Sequence, residues 1–255
     1  MNSRDNVIIV AVLSLLSVLA WIATVHQAGD MEMSSATMSM TMGKPFSLSN
    51  ASLYIALWGV MMVAMMFPSV VPMASLFATV TLKKQDGASP FAPMWLFVAG
   101  YGVLWTLTGG VAYAGDIAIQ SLPHTFPGLR TYGTVIGGGT LVVAGLYQLT
   151  PLKYICLSKC RSPFGFLLTN WRDGRWGAFR MGLQHGLFCL GCCWSLMTVL
   201  FVVGTMNLVW MGVLTLIIFL EKMLPNGAAF GKGTGLGLIG LGLLLAVSPS
   251  TLGMV

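Results

Sequence analysis

The chain has 255 residues and a mass of 27.2 kDa; 56% of its residues are hydrophobic, 8% are charged, and mean hydropathy is +0.83. A soluble domain carries about 25% charged residues, so thirteen basic and seven acidic side chains cannot coat a globule of this length. A soluble enzyme, a disordered chain and a nucleic-acid binder are excluded, and the net charge of +6 reads as orientation charge at a bilayer surface.

Backbone polar groups find no water in hydrocarbon, so apolar runs of about 17–25 residues must be helices. The first candidate runs from Val7 to Val25, and its length and flanks favour an uncleaved helix over a secretory signal. The second covers Leu48 to Val80, with Pro68 and Pro72 expected to kink or end it. The third spans Pro93–Ile119 and the fourth Tyr132–Thr150. Met181–Leu224 is too long for one span and breaks best at Gly204–Asn207, giving the fifth and sixth. A seventh, Gly235–Val247, is short and glycine-rich.

Lys and Arg mark cytoplasmic loops. With the N-terminus inside, Arg4, Lys83, Lys84, Lys153, Lys159, Arg161, Arg172, Arg175, Arg180, Lys222 and Lys232 fall on one side, against Lys44 and Arg130 on the other. The expectation is an all-α polytopic helix bundle of about seven transmembrane helices, or six without the last, with a cytoplasmic N-terminus. It forms a single membrane domain over residues 1–255. Residues 26–47 make a Met-rich extracytoplasmic loop, and residues 151–179 a basic cytoplasmic one.

Sulfur carries the chemistry. Met31, Met33, Met38, Met40 and Met42 crowd the outer loop, where packing gains nothing. Thioether sulfur is soft, favours Cu(I) over hard cations, and survives an oxidising exterior. These residues are candidate capture ligands, with His26, Asp30 and Glu32 as further donors; the alternative is a loop resting on lipid headgroups. On the second helix Met61, Met62, Met65 and Met66 share an arc of about 140°. Methionine fills irregular space beside a proline kink; Met62 and Met66 are the sharper candidates for a relay.

The five cysteines group toward the inner side. Cys156 and Cys160 form a C-x3-C between Lys153 and Arg161, where positive charge favours a thiolate. His185-Gly186-Leu187-Phe188-Cys189-Leu190-Gly191-Cys192-Cys193 follows on the fifth helix. With His185 at 0° on a helical wheel, Cys189 falls at about 40°, Cys192 at about −20°, Met181 near −40° and Cys193 near 80°. His185 and Cys192 are about 10.5 Å apart along the axis, too far to share one ion on a straight helix. A complete site therefore needs donors from elsewhere, and Cys156 and Cys160 are the natural source. The alternative is small-residue packing, which Gly182, Gly186 and Gly191 also suit.

Among other polar groups, Asp116 stands near the outer end of the third helix and Glu221 near the inner end of the sixth. Glu221 is expected to pair with Lys222 or with the Arg172–Arg175 cluster. No phosphate loop, serine triad, zincin motif or haem motif occurs, so nothing marks the chain as an enzyme, and no ATP site would drive transport.

Ala64-Met65-Met66-Phe67-Pro68, Gly145-Leu146-Tyr147-Gln148-Leu149-Thr150-Pro151-Leu152-Lys153, the Cys156–Pro163 segment, Gly182–Trp194 and Glu221-Lys222 occur in an order that resembles the bacterial family of predicted metal-binding integral membrane proteins. The resemblance covers Leu48 to Pro225 and leaves out the Met-rich loop. It implies a multi-pass protein of the bacterial cytoplasmic membrane with a metal role and no assigned reaction.

The sequence thus points to Cu(I) handling, with zinc as the variant metal. Capture falls to the outer methionines, relay to Met62 and Met66, and tight binding to Cys156, Cys160, His185, Cys189, Cys192 and Cys193. Expected partners are the lipid bilayer and a periplasmic or membrane metalloprotein, not nucleic acid. Two rivals stand beside this reading. One is a thiol–disulfide oxidoreductase cycling Cys156/Cys160 against Cys189/Cys192; the other is an assembly subunit whose cysteines only pack.

Overall fold

The structure is a computed structural model that describes residues 3–42, 48–84, 91–125, 133–204 and 207–247. Every element among the described residues is a helix: α1 (Ser3–Met42), α2 (Leu48–Lys84), α3 (Phe91–Thr125), α4 (Gly133–Gln148), α5 (Pro151–Arg161), α6 (Pro163–Asn170), α7 (Gly174–Val203), α8 (Leu208–Met223) and α9 (Gly227–Val247). Five stretches are long and apolar enough to cross a membrane: Val7–Gly29, Asn50–Thr81, Pro93–Ile119, Gly174–Val203 and Gly227–Val247. Helices α4 and α5, bent by 62° at their junction, qualify as a sixth only when taken together. Each of the seven expected spans has its helix, but α8 has 16 residues, just short of the usual spanning length.

The chain resolves into two compact units, Met1–Tyr113 with Lys159–Cys189 and Ala114–Ser158 with Leu190–Val255. In the first, α1 packs along α2, and α2 runs unbroken through Pro68 and Pro72. Proline has no N–H, so Pro68 leaves the carbonyl of Ala64 without its helical donor. The buried Ser17 hydroxyl of α1 donates to that carbonyl at 3.0 Å. A hydroxyl from the neighbouring helix thereby lets the proline sit inside a continuous helix, where the sequence suggests a kink or an end. In the same unit α3 and α7 meet backbone to backbone. A Cβ at Gly182 would strike the carbonyl oxygen of Phe97, and one at Gly100 that of Phe179.

The second unit is built on α4 against α9. Added Cβ atoms at Gly138 and Gly145 would lie 2.5 Å from the carbonyl oxygens of Gly242 and Gly235. Small residues let the two backbones approach closely. The break expected at Gly204–Asn207 is present: Gly204 has φ +97°, and Asn207 caps α8 by accepting the Trp210 N–H.

Two expectations change. Helix α1 continues to Met42, so the backbone of the Met-rich segment is helical where a loop is expected. Between Gly29 and Met42 the chain has no proline or glycine, and its Ala, Glu and Met residues propagate a helix through the interleaved Ser and Thr. The basic connection 151–179 likewise holds α5, α6 and the start of α7.

Candidate metal site

Helix α7 presents Cys189, Cys192 and Cys193, spaced i, i+3 and i+4, so successive turns place their sulfurs side by side. Their Sγ atoms all lie within 4.8 Å of one another. Three sulfurs bound trigonally at about 2.3 Å lie about 4 Å from one another, so the three need draw together only slightly to share one ion. The residues are 1%, 1% and 0% exposed, and none of the five cysteines is in a disulfide. Three thiols form a soft donor set suited to Cu(I).

Tyr101 of α3 is fully buried, and its hydroxyl shares a 3.1 Å hydrogen bond with Cys189 Sγ. The same ring lies 5.9 Å from the His185 imidazole, centroid to centroid. Phe97 at 5.9 Å and Phe166 at 5.2 Å also flank His185. The histidine the sequence assigns to the ligand set thus sits among aromatic rings and is not one of the clustered donors; Tyr101 connects it to Cys189.

Cys156 reaches α7 from α5. A Cβ at Gly191 would lie 2.7 Å from Cys156 Sγ, so the absence of a side chain at Gly191 is what admits the sulfur. The Tyr147 hydroxyl donates to the carbonyl of Gly191 at 2.5 Å, and its ring packs edge-on against Trp194 at 4.8 Å. These contacts fix the end of α4, and with it the start of α5, against the cysteine turn. Cys160, one turn further along α5, is partly exposed and is not one of the clustered thiols.

The methionines divide. Met62 and Met66 are 1% and 0% exposed, so both face the protein interior, as do Met61 and Met65. Phe67, next to Met66, packs 6.4 Å from the Tyr101 ring, which brings that part of α2 to the tyrosine holding Cys189. Met181, placed by the helical wheel on the ligand face, instead accepts the backbone N–H of Arg172 at 3.3 Å through its sulfur. The side chains of Met31, Met33, Met38, Met40 and Met42 lie outside the described residues.

One pairing expected from the sequence is corrected. Glu221 binds Lys153, whose Nζ lies 2.7 and 2.8 Å from its two carboxylate oxygens, with the side chains 0% and 2% exposed. Lys153 therefore belongs to the interior, not to the charged cytoplasmic surface on which its type was counted. Tyr101 carries no local sequence signature, whereas Tyr147, Lys153, Glu221 and Gly191 stand in segments the sequence already emphasises, without their partners being named there.

Comparison with curated proteins and with solved structures finds no significant match. Residues 55–245 match the family described as PpoB2, copper chaperone, and the matched stretch contains α5, the cysteine turn of α7 and both members of the buried ion pair. With that match over most of its length, the chain belongs to the PpoB2 copper chaperone family.

Proposed function

We propose that the protein is a multi-pass chaperone of the bacterial cytoplasmic membrane that carries Cu(I) on thiolates of α7. The observation that carries this reading is the sealed group of Cys189, Cys192 and Cys193, with sulfurs within 4.8 Å. Cys156 supplies a further thiolate from α5 through the Gly191 notch. His185 and Cys160 serve as outer donors during exchange. The Met31–Met42 end of α1 captures the ion, and Met62 and Met66 pass it inward beside Tyr101. The spans number seven with the N-terminus inside, a topology supported by the charge bias and by apolar side chains such as Leu107, Val111, Val209 and Leu243, which stay largely exposed as a lipid-facing surface does. The recipient is a periplasmic or membrane metalloprotein.

Thiols must lose protons to bind metal, so loading releases protons and weakens as pH falls. Purified protein loaded under reducing conditions should retain copper. The Cys189→Ser, Cys192→Ser, Cys193→Ser triple variant should fall to background, with retention about a hundredfold or more lower. Metal content by mass spectrometry reads both, and zinc retained in preference to copper would replace the assigned cargo. Equal copper in wild type and triple variant would refute the site.

A further inference from the structure

We infer that the buried Lys153–Glu221 ion pair positions Cys156, fixing the rotation and depth of α5 so that the sulfur enters the Gly191 notch beside Cys192. Its purpose rests on Cys156 being a ligand, as proposed above; the geometry stands apart from that.

Helix α5 has 11 residues, and the Tyr147 contacts that hold its start leave its rotation to be set by its own side chains. Leu152 and Ile155 are each 58% exposed, and Lys153 and Leu157 are its buried residues. Leu157 contributes a greasy contact that tolerates sliding and rotation. Lys153 does not, because both carboxylate oxygens of Glu221 engage one ammonium at 2.7 and 2.8 Å. Cys156 follows Lys153 by three residues, which places it on the adjacent face about 4.5 Å further along the axis. Any rotation of α5 that moves Lys153 off Glu221 swings Cys156 out of the notch.

The surroundings are cut to fit the pair. A Cβ at Gly231 of α9 would lie 3.0 Å from Glu221 Oε1 and 3.2 Å from Lys153 Nζ. Tyr154 adds a tether by donating to the carbonyl of Ala228 at 3.1 Å. As a source of stability such a pair is a poor choice. Desolvating two charges offsets most of their attraction, and well-packed apolar replacements often leave stability unchanged or raised. What an apolar pair cannot supply is a directional contact that specifies one register.

The experiment uses the full chain in detergent, without metal, with Cys160, Cys189 and Cys193 changed to serine. A short bifunctional thiol reagent then joins Cys156 to Cys192, and the cross-linked fraction is read beside a thermal melt. The parent should cross-link readily. Lys153→Met combined with Glu221→Met should melt close to the parent while its cross-linking rate falls about tenfold. Parental cross-linking in that folded variant would overturn the inference. Should the apolar pair fail to fold, Lys153→Glu with Glu221→Lys restores the ion pair in reverse. It should cross-link well above Lys153→Met alone, and a folded exchange variant no better than the single change would overturn the inference equally. Because no metal enters this assay, a protein that retains no copper would sink the chaperone reading without altering the cross-linking result.

Discussion

Two glycines on α7 face opposite demands. At Gly182 the missing Cβ leaves room for a neighbouring backbone, the carbonyl of Phe97; at Gly191 it leaves room for a single sulfur, that of Cys156. The first contact joins rigid main chains that cannot yield. The second meets the tip of a side chain with a free torsion. The same residue type thus serves packing at one turn and admits a candidate ligand at another, and what lies opposite it tells the two uses apart.

Substitutions test that distinction directly. Gly182→Val should have the largest effect, because neither helix can move aside without losing the α3–α7 contact. The expected cost is about 3 kcal/mol or more, read as loss of monodisperse protein in size-exclusion chromatography. Gly191→Ala should cost less, about 1–2 kcal/mol in a thermal melt, while weakening Cu(I) affinity about tenfold by competition with a chromophoric chelator. Removing the obstruction with Cys156→Ala should restore the melt and leave the affinity low. Recovery of both would make Gly191 a packing residue like Gly182. Tyr101→Phe should have the smallest effect, since it deletes one hydroxyl. It should leave the fold intact and change Cu(I) affinity only a few-fold, in proportion to one hydrogen bond of about 1 kcal/mol. An unchanged affinity would show that Tyr101 only fills space behind Cys189.

Much of this was legible in the chain. Hydropathy located the long apolar helices but not α5 and α6, and the i, i+3, i+4 spacing of Cys189, Cys192 and Cys193 placed three sulfurs on one side of a helix. Cys156 entered the reading because His185 and Cys192 lie too far apart to share one ion, whereas three α7 thiols lie within 4.8 Å of one another without it. Partner choice was not legible. The helical wheel put Met181 on the ligand face, but a wheel carries no neighbours, and Met181 Sδ is taken by the Arg172 N–H. His185 shares that face yet lies against Phe97, Tyr101 and Phe166, which come from two other helices. Lys153 was counted by its charge, and no periodicity announces that its ammonium meets a carboxylate on α8. The helical path of α1 through Met31–Met42 escaped for another reason: Ser and Thr after an apolar run read as a loop, although the interleaved Met, Ala and Glu propagate a helix well.

The burial of the three thiols limits how they can be served. With Cys189, Cys192 and Cys193 at 1%, 1% and 0% exposure, no donor protein can lay its own binding loop across them, and no bulky chelate can deliver its load intact. On the proposed chaperone role, the ion would arrive stripped of its carrier, advancing by replacement of one sulfur at a time. Throughput would then be governed by the slowest internal swap instead of by collision with the supplier, so turnover should level off while supplier concentration is still rising.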